Sequence, residues 1–414
     1  DIDGASATLA YYAGLARRLG DQRHLIDEDR IQLSRDGGFW GRHMWLPRHG
    51  VAVHINAFNF PAWGFAEKAA CALLAGLPVI TKPASATALV AHRCVELIVE
   101  AGLLPDGALQ LICGSAGDLL EHLGPQDVLA FTGAAETAVA LRRQSQLQSV
   151  SARFNVEADS LNAAVVGPDV EPGSATMNLL RREIGREVTQ KAGQKCTAVR
   201  RILVPRQSLP AVRDALVDLL EGVVTGNPAT EGVSMGPLAT ERQLEDAVSG
   251  IAELATAAEL ILGSGARIDG QGSPGGRGFF IAPTLLLADA AGDVVHSREV
   301  FGPVATLIPY DGGAAEAAAI VGRAKGTLVT SAYSDDVGWV RELLESGGAS
   351  TGRLYVGSEE SAAEAPGSGV ALPQTLHGGP GRAGGGEELG GLIGVQLYLQ
   401  RLAVQGGPSW IDSL

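Results

Sequence analysis

Short apolar runs alternate with amphipathic stretches through the first 160 positions. VAVHINA (51–57), LPVITKP (77–83), ALQLICG (108–114), DVLAFTG (127–133) and ARFNVEA (152–158) each suit a buried strand. Between them, WGFAEKAACALLAG (63–76), the segment from Thr87 to about Ala101, and AAETAVALRRQ carry helical spacing, with a shorter helix in DLLEHL. Strands alternating with helices of this length predict βαβ units around a parallel sheet. Parallel sheets bind ligands beyond the carboxyl ends of their strands, which puts TKPAS, CGSAG and FTGAAE on the binding edge.

The grain changes near position 166. EPGSATMNLLRREIGREVTQKAG predicts one long helical stretch running to Gly193. QKCTAVRRILV follows and becomes strand-like at its end, LPAVRDALVDLLEGV is amphipathic, and strands and helices alternate again to about 350. A second α/β domain is expected. GSGARIDGQGSPGGRG (263–278) and GSEESAAEAPGSG (357–369) read as long loops.

Charge and composition narrow the function. The 414 residues carry 32 basic and 46 acidic side chains, and a net −14 argues against non-specific nucleic-acid or anionic-membrane binding. No apolar run is long enough to span a bilayer, and DIDGASATLA lacks a signal-like pattern, so a cytoplasmic protein is expected. Cysteines at 71, 94, 113 and 196 form no CxxC pair and read as reduced thiols; the first three, in apolar runs, read as inert. Glycine fills 55 positions, nearly twice the usual ~7%, which points to many turns and close backbone approaches.

Several motif classes drop out. Gly379-Pro-Gly-Arg-Ala-Gly384 fits GxGxxG by letter, but no strand is expected before it and a proline sits in the turn. There is no P-loop, HExxH, paired CxxC or GxSxG, so no metal site is expected. His54 lies in an apolar strand and reads as a hydrogen-bonded core residue.

Four segments remain: Asn56-Ala-Phe-Asn59-Phe-Pro-Ala-Trp-Gly, Thr81-Lys-Pro-Ala-Ser85, Phe154-Asn-Val-Glu157-Ala-Asp-Ser and Gly193-Gln-Lys-Cys196-Thr-Ala. In order and spacing they resemble the NAD(P)-dependent aldehyde dehydrogenase superfamily, as do Phe131-Thr-Gly133, Gly278-Phe-Phe-Ile-Ala-Pro-Thr284 and Glu299-Val-Phe-Gly-Pro-Val304. The resemblance covers essentially the whole chain. It implies the aldehyde dehydrogenase fold: a Rossmann-like cofactor domain (1–165), a second α/β catalytic domain (166–375), and a return to the cofactor domain at 376–414. Segments 29–48 and about 392–405 would form a small oligomerisation element in a homodimer or higher oligomer, although an ordinary hairpin and terminal strand fit them too.

The same resemblance implies roles. Cys196, flanked by Lys195 and Thr197 rather than by apolar residues, would be the nucleophile that forms a thiohemiacetal. Asn59 would hold the oxyanion, although an asparagine before Phe-Pro also suits a turn. Glu157 would activate the water that hydrolyses the thioester, which favours a free acid as product. Lys82 would contact the adenosine ribose and its phosphate with Ser85 beside it, Gly133 would face the pyrophosphate, Glu299 would clasp the nicotinamide ribose, and Phe58, Thr132 and Phe301 would also bind the cofactor. Many NAD-preferring relatives carry glutamate at position 85. Ser85 removes that repulsion, so NADP is slightly favoured over NAD. Ala134 and Ala138 depart from the usual serine and glycine of the phosphate loop.

Two further departures mark a branch. Val156-Glu-Ala-Asp-Ser-Leu-Asn162 replaces the usual Glu-Leu-Gly-Gly, and Leu376-His-Gly-Gly replaces the usual Pro-Phe-Gly-Gly. With INAFNFPAWG and REVTQKAGQKCTA they resemble the branch that oxidises coenzyme A-linked semialdehydes in phenylacetate and benzoate degradation. That implies a CoA-linked aldehyde as substrate, with a small free aldehyde, or a catalytically silent scaffold subunit of the same fold, as the alternatives. Relatives usually have about a hundred residues before the position of Asp1, and some carry a fused hydratase after the position of Leu414. The chain therefore reads as starting inside the cofactor domain and lacking the ring-opening activity.

Overall fold

In a computed structural model, residues 1–414 are described, except the side chain of Pro274. The chain divides into two compact units: 1–156 with 372–376 and 387–414, and 157–371 with 377–386.

The first unit is built on a sheet of five strands: β1 (Ala52–Ile55), β2 (Val79–Lys82), β3 (Leu109–Leu111), β4 (Val128–Thr132) and β5 (Arg153–Glu157). Their order is β3-β2-β1-β4-β5. Pairing is parallel from β3 through β4, with Val53 opposite both Ile80 and Leu129. Ala52, Val53, Val79, Val128 and Leu129 have no exposed surface, which is why these strands read as unbroken apolar runs. Helices Trp63–Leu74, Ala88–Glu100 and Ala135–Arg142 supply crossovers. The Asp1 carboxylate accepts from the backbone N–H groups of Ala62 and Trp63, satisfying two orphan donors where the first crossover helix opens. The order reverses direction at β1, so the loops after β1 and β4 flank the switch point where such sheets take ligands.

A separate small sheet in this unit pairs Trp40–Pro47 antiparallel with Leu399–Gly406 along all eight residues. Two-residue strands at Leu25–Ile26 and Ile31–Gln32 cover the other edge of Trp40–Pro47.

The second unit holds seven strands: β6 (Ala163–Val166), β7 (Arg201–Pro205), β8 (Ala258–Leu262), β9 (Thr284–Ala288), β10 (Val304–Tyr310), β11 (Thr327–Tyr333) and β12 (Thr351–Gly357). Their order is β8-β9-β10-β7-β6-β11-β12, and only β8 runs antiparallel to its neighbour. Apolar clusters on both faces bury this sheet, one around Leu203, Ile251 and Ile308 and the other around Leu180, Ile184 and Val204.

Two expectations are corrected. The helix expected to reach Gly193 ends at Thr189. Lys191, Ala192 and Gly193 are then left-handed, with φ of 54°, 51° and 69°. Propensity favours continuing the helix through Lys and Ala, and tertiary packing overrides it. The GxGxxG segment does follow a strand, the short Leu376–Gly378, but it opens only one helical turn. Its glycines serve backbone packing instead. A Cβ on Gly379 would lie 2.3 Å from the Thr327 carbonyl oxygen, and one on Gly381 would lie 2.1 Å from that of Lys325.

Among the described residues, no helix is long and apolar enough to cross a membrane.

Candidate active site

Cys196 lies in the loop between the left-handed turn and β7. Asn162 fixes that loop: its side-chain amide donates to the Cys196 carbonyl at 2.7 Å and to that of Ala198 at 3.0 Å. Its oxygen accepts from the Ser160 hydroxyl and from the Val329 N–H. Arg200 clamps the other side, donating to the carbonyls of Gly302, Gly193 and Lys195. Lys195 is turned aside into an ion pair with Glu187 at 2.8 Å. The Cys196 side chain is half-buried and packs against Leu328, Val329 and Ala383. The guanidinium charges of Arg200 and Arg353 act on it.

Glu157, the last residue of β5, is 1% exposed. Between it and the thiol stands His377, which no motif had singled out. Its Nε2 is 3.2 Å from Glu157 Oε1 and 3.9 Å from Cys196 Sγ. The polar atoms of the three residues all lie within 4.8 Å of one another. That spacing could serve a metal ion, and it equally suits a nucleophile beside a base. The only sequence signal for His377 was its place in Leu376-His-Gly-Gly, read above as a branch marker.

Glu299 accepts from the Ser160 N–H at 3.0 Å and pairs with Arg200 at 3.4 Å. Burial pushes its carboxyl up to about 7 against the pull of Arg200. Phe301 stacks beneath the same guanidinium, 5.4 Å from ring centroid to Cζ.

In the first unit, the residues expected at the cofactor gather at the carboxyl ends of three adjacent strands. Phe58 and Asn59 follow β1, Lys82 ends β2 with Ser85 just beyond, and Thr132 ends β4 with Gly133 next. Thr87 donates to the Phe58 carbonyl, tying the first loop to the second crossover helix. Ser85 is exposed, and the Lys82 ammonium reaches only its neighbouring Pro83 carbonyl, at 3.2 Å. Thr132 Oγ1 is buried without a hydrogen-bond partner. A Cβ on Gly133 would come within 2.6 Å of the Phe131 ring, so a larger residue before helix Ala135–Arg142 would require that ring to move. A spare hydroxyl, a bare backbone turn and a helix N-terminus fit a phosphate-bearing cofactor.

Reading the sequence also passed over Lys68. Its buried ammonium pairs with Glu67 at 2.7 Å and with Glu388 at 3.0 Å, and Asn155 donates to Glu388. His54 is a core residue as expected: fully buried beside the Tyr398 hydroxyl at 3.1 Å, with burial lowering its pKa to about 3. The expectation for the other cysteines needs correction. Cys71 is buried, but Cys94 is half-buried and Cys113 is exposed, because the strand expected over 108–114 stops at Leu111.

Comparison with known proteins agrees with this geometry. The pattern of the aldehyde dehydrogenase family matches residues 1–399. The chain is 45% identical over 382 residues to the 3,4-dehydroadipyl-CoA semialdehyde dehydrogenase of Aromatoleum evansii, covering 92% of this chain and 74% of that one. It is 40% identical over 186 residues to Protein MaoC of Klebsiella aerogenes, covering 44% of this chain and 52% of that one. Among solved structures, an NAD-dependent aldehyde dehydrogenase from Sinorhizobium meliloti superposes with a TM-score of 0.82 at 25% identity, over 97% of this chain and 74% of that one. Betaine aldehyde dehydrogenase from Staphylococcus aureus, in complex with NAD+, gives a TM-score of 0.82 at 24% identity, over 98% of this chain and 75% of that one. The chain belongs to the aldehyde dehydrogenase family, oxidoreductases that act on aldehydes.

Proposed function

We propose that this protein oxidises a coenzyme A-linked semialdehyde from aromatic-acid degradation to the free acid, using a nicotinamide cofactor. The 45% identity to a dehydroadipyl-CoA semialdehyde dehydrogenase carries the substrate class. The clustering of Cys196 and Glu157 around His377 supports the chemistry. The thioester of 3-oxo-5,6-dehydrosuberyl semialdehyde, which the phenylacetate branch oxidises, is a second candidate in the same class.

Cys196 attacks the aldehyde carbonyl as a thiolate. Asn59 and the Cys196 N–H donate to the resulting oxyanion, a pair of contacts whose loss typically costs about 3–4 kcal/mol per donor. A nicotinamide cofactor, when bound, would supply the hydride acceptor, and loss of hydride from the thiohemiacetal would leave the acyl group as a thioester on Cys196. Glu157 then takes a proton from water as the water attacks that thioester, releasing acid and thiolate. Lys82, Ser85, Thr132 and Gly133 hold the adenosine and phosphate half of the cofactor, and Glu299 holds the nicotinamide ribose beside Phe301. Ser85 leaves room for a 2′-phosphate, which favours NADP. The functional form is a homo-oligomer.

Steady-state kinetics with both cofactors, on CoA-linked and free semialdehydes, test the substrate and cofactor together. Turnover of the CoA thioesters should exceed that of the free aldehydes; equal kcat/KM for the two would sink the substrate assignment. Ser85→Glu should move preference toward NAD, and an unchanged NADP/NAD ratio would remove the argument from Ser85. Cys196→Ala should abolish aldehyde-dependent cofactor reduction. Glu157→Gln should retain a single-turnover burst and slow steady turnover by ~10²–10⁴-fold, with the acyl adduct visible by intact-mass measurement.

A further inference from the structure

We propose that His377 is a further catalytic residue, the group that draws the proton from the Cys196 thiol and stabilises the thiolate while Glu157 stabilises the imidazolium. The proposal rests on Cys196 being the nucleophile.

Three observations carry it. His377 is 3% exposed, so its ring cannot turn into solvent. Its Nε2 alone faces both partners, 3.9 Å from Sγ and 3.2 Å from the carboxylate. The backbone that bears it is locked: a Cβ on Gly352 of β12 would lie 1.7 Å from the Gly378 carbonyl oxygen, and one on Gly326 would lie 2.0 Å from that of Pro380. That fixed backbone holds the nitrogen within reach of both a thiol and a carboxylate.

The proton balance is simple. The Sγ–H bond breaks, an Nε2–H bond forms, and the electron pair stays on sulfur. The new N–H then lies beside the thiolate and the Glu157 carboxylate, the two groups that Nε2 faces. Within the second unit, charges near the thiol include Arg200 and Arg353, which favour the thiolate, and Glu187, which acts on both guanidinium groups. When the thiolate is expelled from the thioester it returns to face the same imidazolium, so His377 keeps its proton through the cycle. Glu157 remains the base toward water.

Alkylation of the full chain by iodoacetamide without cofactor tests this, with peptide mass spectrometry following each cysteine from about pH 5 to about pH 9. In the unaltered protein Cys196 should be alkylated fastest, with a midpoint well below the ~8.5 of an ordinary thiol. His377→Phe fills the slot without a titrating group, and His377→Gln keeps a hydrogen-bond donor at similar size. In both, the midpoint should rise toward ~8.5 and the rate near neutral pH should fall by ~10-fold or more. Thermal unfolding identifies which variant is folded. An unchanged midpoint in either folded variant overturns the role of His377. Fast labelling of a different cysteine in the unaltered protein overturns the assignment of Cys196 itself, which is a separate failure.

Discussion

Around the Cys196 loop, Lys195, Arg200 and Glu299 are tied to backbone groups and to other charged side chains, and Glu299 shows what that costs. Its carboxyl is pushed from 4.5 up to about 7 by burial, with Arg200 opposing. A native state that binds the proton more tightly than the unfolded chain is favoured at low pH. The stabilisation is complete below about 4.5 and is lost as pH rises through about 7, a total of about 3 kcal/mol. His296 runs the other way: burial and Arg201 lower its pKa to about 4, so its contribution grows as pH rises from about 4 to about 6.5. The difference between variants isolates the carboxylate. Glu299→Gln should flatten the decline in melting temperature from pH 4.5 to 7, measured by calorimetry beside the unaltered protein. Parallel curves for the two would mean that the burial of Glu299 is relieved in solution. At this scale Cys196 and Glu157, the proposed nucleophile and base, stood out in the sequence because their flanking residues are distinctive. His377 did not, since it lies 181 positions from Cys196 and only the fold joins them.

Between residue and fold, the turn at 191–193 sets the direction in which the Cys196 loop leaves its helix. Two consecutive non-glycine residues in the left-handed region carry strain of order 1–3 kcal/mol each, which neighbouring contacts must offset. Gly193 supplies the third left-handed position and meets a wall: a Cβ there would lie 2.1 Å from the Gly302 carbonyl oxygen, the oxygen that Arg200 also grips. Gly193→Ala should therefore cost more than about 2 kcal/mol, the left-handed penalty plus a backbone displacement. Gly173→Ala is the control, left-handed at φ 83° with no heavy atom within 4 Å of its Cβ, and should cost about 1 kcal/mol. Denaturant unfolding of both gives the comparison; equal losses would show that the Gly302 contact yields freely. The sequence pattern could not place this turn. Periodicity follows the apolar face of Leu179, Ile184 and Val188, and that face ends without any local breaker before Gly193. The central strands of the first sheet were easier, because the burial of Ala52, Val53, Val128 and Leu129 leaves an unbroken apolar run.

At the scale of the whole molecule, the chain leaves its first unit at Val156, completes a second α/β unit, and returns to the first at 372–376 and 387–414. The returning segment ends in Leu399–Gly406, which among the described residues pairs in its sheet only with Trp40–Pro47, so its other edge is open. Gln400, Arg401, Leu402 and Ala403 are exposed in sequence, and Leu402 shows 45% of its surface. Ile31, Leu33 and Phe39, in or beside the same small sheet, are also at least 40% exposed. A long open edge with apolar side chains and neither lysine nor proline along it invites strand pairing unless another chain covers it. A second copy offers the same edge, and two such edges can pair antiparallel about a two-fold axis. Sedimentation equilibrium should therefore report a dimer or a multiple of one for the unaltered protein. Leu402→Asp should shift the distribution toward monomer, because it places a charge among the apolar side chains that pairing would bury. Far-ultraviolet circular dichroism should stay unchanged, since the side chain is already in solvent within one chain. A monomeric unaltered protein would refute the pairing outright. An oligomer that tolerates Leu402→Asp would place the interface elsewhere on the chain.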